Sequence, residues 1–430
     1  MCKSSKPLHL IYFSGPLDLR KGGPTGYLAN LKIGLEEIEK PRDFIVSFLV
    51  SEKQFDEEKK KIGFSRKIRE KILSNRKVRS VYVNYIGKSR RRRAQERVRH
   101  LQELCSGALI NDKVKEFVLK NKNLKSIHCH TVFDAAEVLN TLDFIGVRGK
   151  VRVILTSHAP ESVSIELSNI LMESGLSDKY VRPFIDACDR VQEKVFREVD
   201  ALIFPSAEAM EPYYQTIPGF DEIIADKKVL FLLTGTIGLK GGMTREEARA
   251  KLAIPNDTFV VSFVGRHNAV KGYDLLCGAA SKVFETRCPI CVVVGGVESD
   301  CFTPPSDPRW RELGWVDPTT VLIASDLFVL PNRRTYFDLI MLEALSVGAN
   351  VLATNTGGNK TIFNLTKCVT LVEADSDAIA HAIIEQMKNP AMRKKAALVK
   401  EKFSKFFDEK KFALNYLSLV FGYLSEENLL

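Results

Sequence analysis

At 430 residues the chain is long enough for two to four domains of about 100–200 residues each. With 45% apolar and 27% charged residues it has the composition of a globular protein, which excludes a fibrous or wholly disordered chain. No apolar run approaches the roughly 18 residues that would span a bilayer. The formal charge of +10 is unevenly placed, because seventeen Lys and Arg face only Glu70 and Glu96 between Lys59 and Arg99, and the remainder is slightly acidic.

In chain order, Leu8 to Phe13 is a short apolar run that reads as a first strand and not as a signal peptide. Gly22-Gly23-Pro24-Thr25-Gly26 follows, ahead of a helical stretch from Tyr27 to Glu39. Such a loop either is a plain turn or lets the backbone approach a phosphate or sugar closely. The runs DFIVSFLV, SIHCH, VRVILTSH and ALIFPS then repeat one pattern: apolar residues ending in small or polar ones, with helical stretches such as Asp178 to Val199 between them. Alternating strands and helices predict βαβ units and a parallel sheet.

The basic segment lies inside this first half, as an insertion near residues 52–105. Phe64, Ile68, Ile72 and Leu73 fall at helical spacing beside the charges, as in an interfacial helix. Three readings stand, in this order: docking on an anionic lipid surface, where each cation is worth about 1 kcal/mol; a solvated insertion; and a nucleic-acid contact. Nine cysteines without a secretory signal point to a reducing compartment, and so to a cytoplasmic protein, placed by the basic segment at the inner face of the membrane. Cys288 and Cys291 form one Cys-x-x-Cys with no second pair for zinc, and read as loop and strand cysteines.

Thr234 to Gly242 (TGTIGLKGG) gathers four glycines and marks a boundary. The helix after it starts with a capping residue, Thr244, and Glu247 three positions on. VVSFVG, CVVVGG, LFVLP and NVLAT then repeat the strand pattern, so two doubly wound sheets in tandem are predicted, with a cleft between them. The divisions are 1–233, 234–408, and a closing amphipathic helix over 409–430.

Chemistry concentrates in the second half. The strand-like run Val260–Val264 ends at Gly265, and Arg266, Lys271 and Gly272 follow. Farther on, the apolar helical segment LIMLEALSVGA carries a single acidic residue, Glu343. A carboxylate there is costly without a partner, which favours a ligand role. In this order and spacing the stretch resembles the donor half of the family-4 retaining glycosyltransferases, enzymes of the GT-B fold. The likeness extends over most of the chain and is loose before Gly107.

The resemblance implies an α/β protein with two Rossmann-like domains facing a cleft, the closing helix crossing back to the first. It implies that Arg266 and Lys271 hold the donor diphosphate and that Glu343 takes the ribose hydroxyls. Thr335, Phe337, Asp338 and Leu339 would meet the sugar. Here the chain departs from the family, with Thr335 in place of the first motif glutamate and Asp338 in place of a glycine. From the first domain, Gly23 and Pro24 of the glycine loop and His130 would reach the reacting sugar, and His158 the acceptor side. A lone His is also often structural.

No Asp-x-Asp lies in the stretch from Gly265 to Gly348, so a catalytic metal is not expected, and no cofactor beyond a UDP- or GDP-sugar as substrate. Gly-x-Ser-x-Gly and Gly-x-Gly-x-x-Gly are both absent, which argues against an α/β-hydrolase and a dinucleotide oxidoreductase. The function expected is retaining, metal-independent transfer of a sugar to a glycan or lipid-linked acceptor. The alternatives are a non-catalytic GT-B subunit and, third, a nucleic-acid-binding protein.

Overall fold

The computed structural model describes residues 6–39, 43–51, 92–173, 177–239, 242–286, 288–297, 302–392 and 395–426. Most of the basic segment, 52–91, therefore lies outside the described residues. Its end forms a helix over 92–106 with Arg92, Arg93, Arg97 and Arg99 exposed and Leu101 and Leu104 packed into the core.

Six parallel strands build the first sheet: β1 (Leu8–Phe13), β2 (Ile45–Val50), β3 (Leu124–Cys129), β4 (Arg152–Leu155), β5 (Ala201–Phe204) and β6 (Lys228–Phe231), in the order β2-β1-β3-β4-β5-β6. The second holds β7 (Phe259–Arg266), β8 (Ile290–Val297), β9 (Trp310–Gly314), β10 (Leu327–Leu330), β11 (Val351–Thr354) and β12 (Val369–Val372), in the order β12-β11-β10-β7-β8-β9. Inner strands such as LHLIYF, ALIF and LFVL are buried at every position because helices cover both faces, which is why they read as unbroken apolar runs.

Each order reverses once, between β1 and β3 in the first sheet and between β7 and β10 in the second. A reversal sends the two neighbouring crossover helices to opposite faces and opens a crevice at the carboxyl ends of the strands. The two crevices face each other.

The linker is tied to both halves. Asn30 Oδ1 accepts from the Ile237 amide at 2.9 Å, and Ser346 Oγ accepts from the Leu239 amide at 2.8 Å. The last helix, Glu409–Glu426, returns to the first half, where Phe412, Ala413, Tyr416 and Val420 share a core with Ile11, Leu28 and Leu31. It lies so close to helix Gly23–Glu37 that a Cβ on Gly34 would stand 2.2 Å from the Glu409 carbonyl oxygen. The capping box at Thr244 and Glu247 is formed as expected. No described helix is long and apolar enough to cross a membrane. Cys288 and Cys291 are free, Cys291 within β8.

Candidate functional site

A cleft of about 1110 Å³ lies between the sheets, lined from both by the segments that follow strand ends. In the second half, β7 carries Gly265 and Arg266 to its rim. The turn after it is held by Asn268 Oδ1, which accepts from the Lys271 amide at 3.0 Å. Gly272 has φ +65, and a Cβ there would fall 1.7 Å from the Pro331 carbonyl oxygen, so only glycine lets this turn sit against the end of β10. Lys271 is thereby fixed at the cleft wall.

Both cations have acidic partners. Lys271 Nζ lies 2.5 Å from Asp338 Oδ1, and Asn332 Nδ2 donates to Asp338 Oδ2 at 2.5 Å. Burial alone would raise the Asp338 carboxyl, but the Lys271 ammonium and these hydrogen bonds hold it below its ordinary value. Arg266 Nη1 meets Glu166 Oε1 at 3.3 Å, and Glu166 comes from helix Val163–Glu173 of the first half. Further contacts join the halves: Arg334 with Glu161 at 2.8 Å, Lys360 Nζ with Glu211 at 2.9 Å, and Ser206 Oγ with Thr361 Oγ1 at 2.6 Å.

Glu343 also lines the cleft, one turn into helix Leu339–Val347. Burial, with Asp317 as a like-charged neighbour, raises its carboxyl to about 7. No described side chain hydrogen-bonds that carboxyl. A half-buried acid that no described side chain bonds, in the same cleft as a basic pair, is arranged to accept hydroxyl or amide donors from a ligand.

On the opposite wall, helix Gly23–Glu37 begins at Gly23, φ +64, with Pro24 in its first turn, and both line the cleft. His158 lines it too, in a left-handed conformation (φ 61) uncommon for a residue with a side chain. His130 does not. It is fully buried behind His158, its Nδ1 3.0 Å from His158 Nε2. Desolvation pushes both imidazoles down, His158 to about 3, so both are neutral near pH 7. Of the two, His158 meets whatever occupies the cleft, and His130 fixes its ring.

Arg266, Lys271, Phe337, Asp338, Leu339, Glu343, Gly23, Pro24 and His158 thus share one cavity wall or its facing wall. Thr335 lies outside the lining: it is fully buried, and its carbonyl oxygen would be 2.0 Å from a Cβ on Gly357. Sequence reasoning passed over Trp315 and Asp317, which follow β9 and line the cleft, Trp315 at 66% exposure. Their signal was present in GWVDP: a bulky aromatic at a strand's carboxyl end, just before a helix. Among the described residues no cluster of three or more His, Cys, Asp or Glu is set to hold a metal ion.

Residues 258–389, which carry the Arg266–Glu343 wall, match the family model described as glycosyl transferases group 1. D-inositol 3-phosphate glycosyltransferase 1 of Catenulispora acidiphila is 28% identical over 227 residues, 48% of this chain and 51% of the relative. The putative teichuronic acid biosynthesis glycosyltransferase TuaC of Bacillus subtilis is 28% identical over 141 residues, 33% of this chain and 36% of the relative. The chain spans about half the length, or less, of the curated relatives it matches.

Among solved structures, sucrose-phosphate synthase from Thermosynechococcus elongatus aligns with a TM-score of 0.61 at 15% identity, covering 98% of this chain and 100% of that one. The catalytic domain of starch synthase IV from Arabidopsis thaliana, bound to ADP and acarbose, gives 0.63 at 16% identity and covers 98% and 100%. Anabaena HepE, in complex with UDP and glucose, gives 0.56 at 14% identity and covers 96% and 98%. At such identities the likeness is one of fold, and the fold is GT-B.

Proposed function

We propose that the chain is a glycosyltransferase that moves a sugar from a nucleoside diphosphate donor to a hydroxyl acceptor, retaining the anomeric configuration and using no metal. The observation that carries this reading is the convergence of Arg266, Lys271 and Glu343 on one wall of the cleft, at the strand-order reversal of the sheet that matches group 1 glycosyltransferases. The solved neighbours bound to UDP with glucose, or to ADP, support a nucleotide in that position.

The chemistry follows from the charges. As the bond from the sugar to the diphosphate breaks, negative charge grows on the leaving oxygens, and fixed cations stabilise it most where water is excluded. Arg266 and Lys271 take that role, Glu343 accepts from the ribose hydroxyls, and the Phe337–Leu339 segment faces the sugar. His158 and the Gly23–Pro24 turn close the other side. A neutral imidazole held to about 3 is a weak base, so the acceptor proton passes to the departing diphosphate and not to His158.

The acceptor in this reading is a glycan or a lipid-linked saccharide. The basic segment brings the enzyme to an anionic surface, and the free cysteines suit a cytoplasmic setting. A second reading, a partner subunit without turnover, draws on the acidic partners already seated on both cations. Release of nucleoside diphosphate from UDP- and GDP-sugars without acceptor separates the two. Slow release, lost in Arg266→Ala and Glu343→Ala, supports the enzyme. Equal release by parent and both variants refutes it.

A further inference from the structure

Lys271 is shared property. Asp338 stands at the N-cap of helix Leu339–Val347, where a carboxylate ordinarily turns back to accept from the first amides of the helix. Here it makes no capping bond and points instead to Lys271 and Asn332, each at 2.5 Å. Among the described residues nothing accepts from the amides of Leu339 and Ile340, and both residues line the cleft. A ligand anion fitted to Lys271 and the helix start would meet Asp338 on the lysine side.

Resting on the nucleotide-sugar reading, we propose that Asp338 is an internal competitor for the donor diphosphate, and that exchange of Lys271 between the two sets how tightly nucleoside diphosphates are held. Two anions on one ammonium repel each other, so part of the attraction the lysine offers a phosphate is spent on releasing Asp338. Asn332, which donates to the second carboxylate oxygen, holds Asp338 in its Lys271-facing position. The competition acts on the phosphates alone and leaves base and ribose contacts untouched. It also hastens departure of the product diphosphate, whose charge exceeds that of the donor.

Calorimetric titration of the full chain and of Asp338→Asn tests this, using UDP, GDP and ADP with uridine, guanosine and adenosine as uncharged controls. The substitution keeps size and removes charge, and Asp338→Ser serves if the first variant melts early. The expected result is nucleoside diphosphate binding tightened by about tenfold, nucleoside binding unchanged, and the gain abolished when Lys271→Met is added. Unchanged diphosphate affinity in folded variants overturns the proposal. Weakened affinity also overturns it and makes Asp338 a residue that positions Lys271 for the phosphates. If the parent and every variant bind no nucleoside diphosphate, the nucleotide-sugar reading itself falls and this inference with it.

Discussion

Glu166 and Arg266 lie a hundred residues apart in the chain and meet at 3.3 Å across the cleft, one from each half of the molecule. Their side chains are 32% and 52% exposed, so the pair is solvated and screened. An ion pair of this kind contributes about 0–1 kcal/mol to stability. Glu166→Gln is therefore expected to move Tm by no more than about 4 °C and to leave sugar transfer near the parent rate. Arg266→Ala is expected to be equally stable but to lose about 10²-fold or more in kcat, the scale for removing one group that stabilises a developing oxyanion. Melting curves beside nucleoside diphosphate release distinguish the two. A Glu166→Gln variant as slow as Arg266→Ala would place Glu166 in the reacting site.

Glu343 gives a pH dependence with a definite sign. Burial raises its carboxyl to about 7, so its ionised fraction climbs between pH 6 and 8. Ribose hydroxyls donate best to the ionised form, so nucleotide affinity is expected to rise over that interval. In Glu343→Gln the rise disappears, and affinity falls by about tenfold, the lower end of losing hydrogen bonds to a charged group. Stability runs the other way. The folded state keeps a proton that the unfolded chain has lost, so this group's contribution is present below about pH 4.5 and is lost as pH rises through 7. The Gln variant is therefore expected to gain Tm on the parent from pH 5 to 8, as thermal melts at both ends would show.

A cluster of buried histidines governs the acid side. His9 is hydrogen-bonded to Ser126 and Tyr416, His128 to Tyr416 and Thr156, and His130 to His158. Desolvation depresses all four, His9 and His158 to about 3. Below about pH 6.5 the unfolded chain takes up protons that the folded chain refuses. Stability is therefore expected to fall steeply from pH 6.5 to 5, each histidine adding up to about 1.4 kcal/mol per pH unit. A His9→Gln, His128→Gln pair should flatten the slope even if it lowers Tm at neutral pH. A parent slope no steeper than that of the pair would refute the account.

The linker offers a structural test. Asn30 is buried, accepts from the Ile237 amide and donates to the Gly26 carbonyl at 2.8 Å. Asn30→Ala takes the acceptor from the Ile237 amide, at a cost of about 0.5–1.5 kcal/mol, while the Gly26 carbonyl keeps its helical bond. Denaturant unfolding should show that loss, while an unchanged midpoint would mean that the linker is held by other contacts.

Inner strands were legible in the chain because a strand buried on both faces reads as an unbroken apolar run, as in LFVL and VLAT. Three of the four edge strands were not. In β6, β9 and β12 most residues are partly exposed, and KVLF, WRELG and VTLV carry too little pattern to stand out. The site divides in the same way. Arg266, Lys271 and Glu343 follow from local spacing after a strand or within a helix, and all three reach the cleft. The acids on the two cations were hidden, since Glu166 arrives from another domain and the reach of Asp338 depends on a turn fixed by Pro331. His130 and His158 were both legible as strand ends. Which one faces the cleft is a matter of tertiary packing: His130 is fully buried, and His158 lines the cavity.

The most direct test of the central claim is a thermal-shift panel of UDP, GDP, ADP and their common sugar conjugates, run on the parent chain and on Lys271→Met and Glu343→Ala. The account predicts that one base family raises the parent Tm by several degrees, as mass action requires when ligand far exceeds Kd, and that both variants lose most of the shift. No shift with any nucleotide, or the same shift in all three proteins, would contradict it.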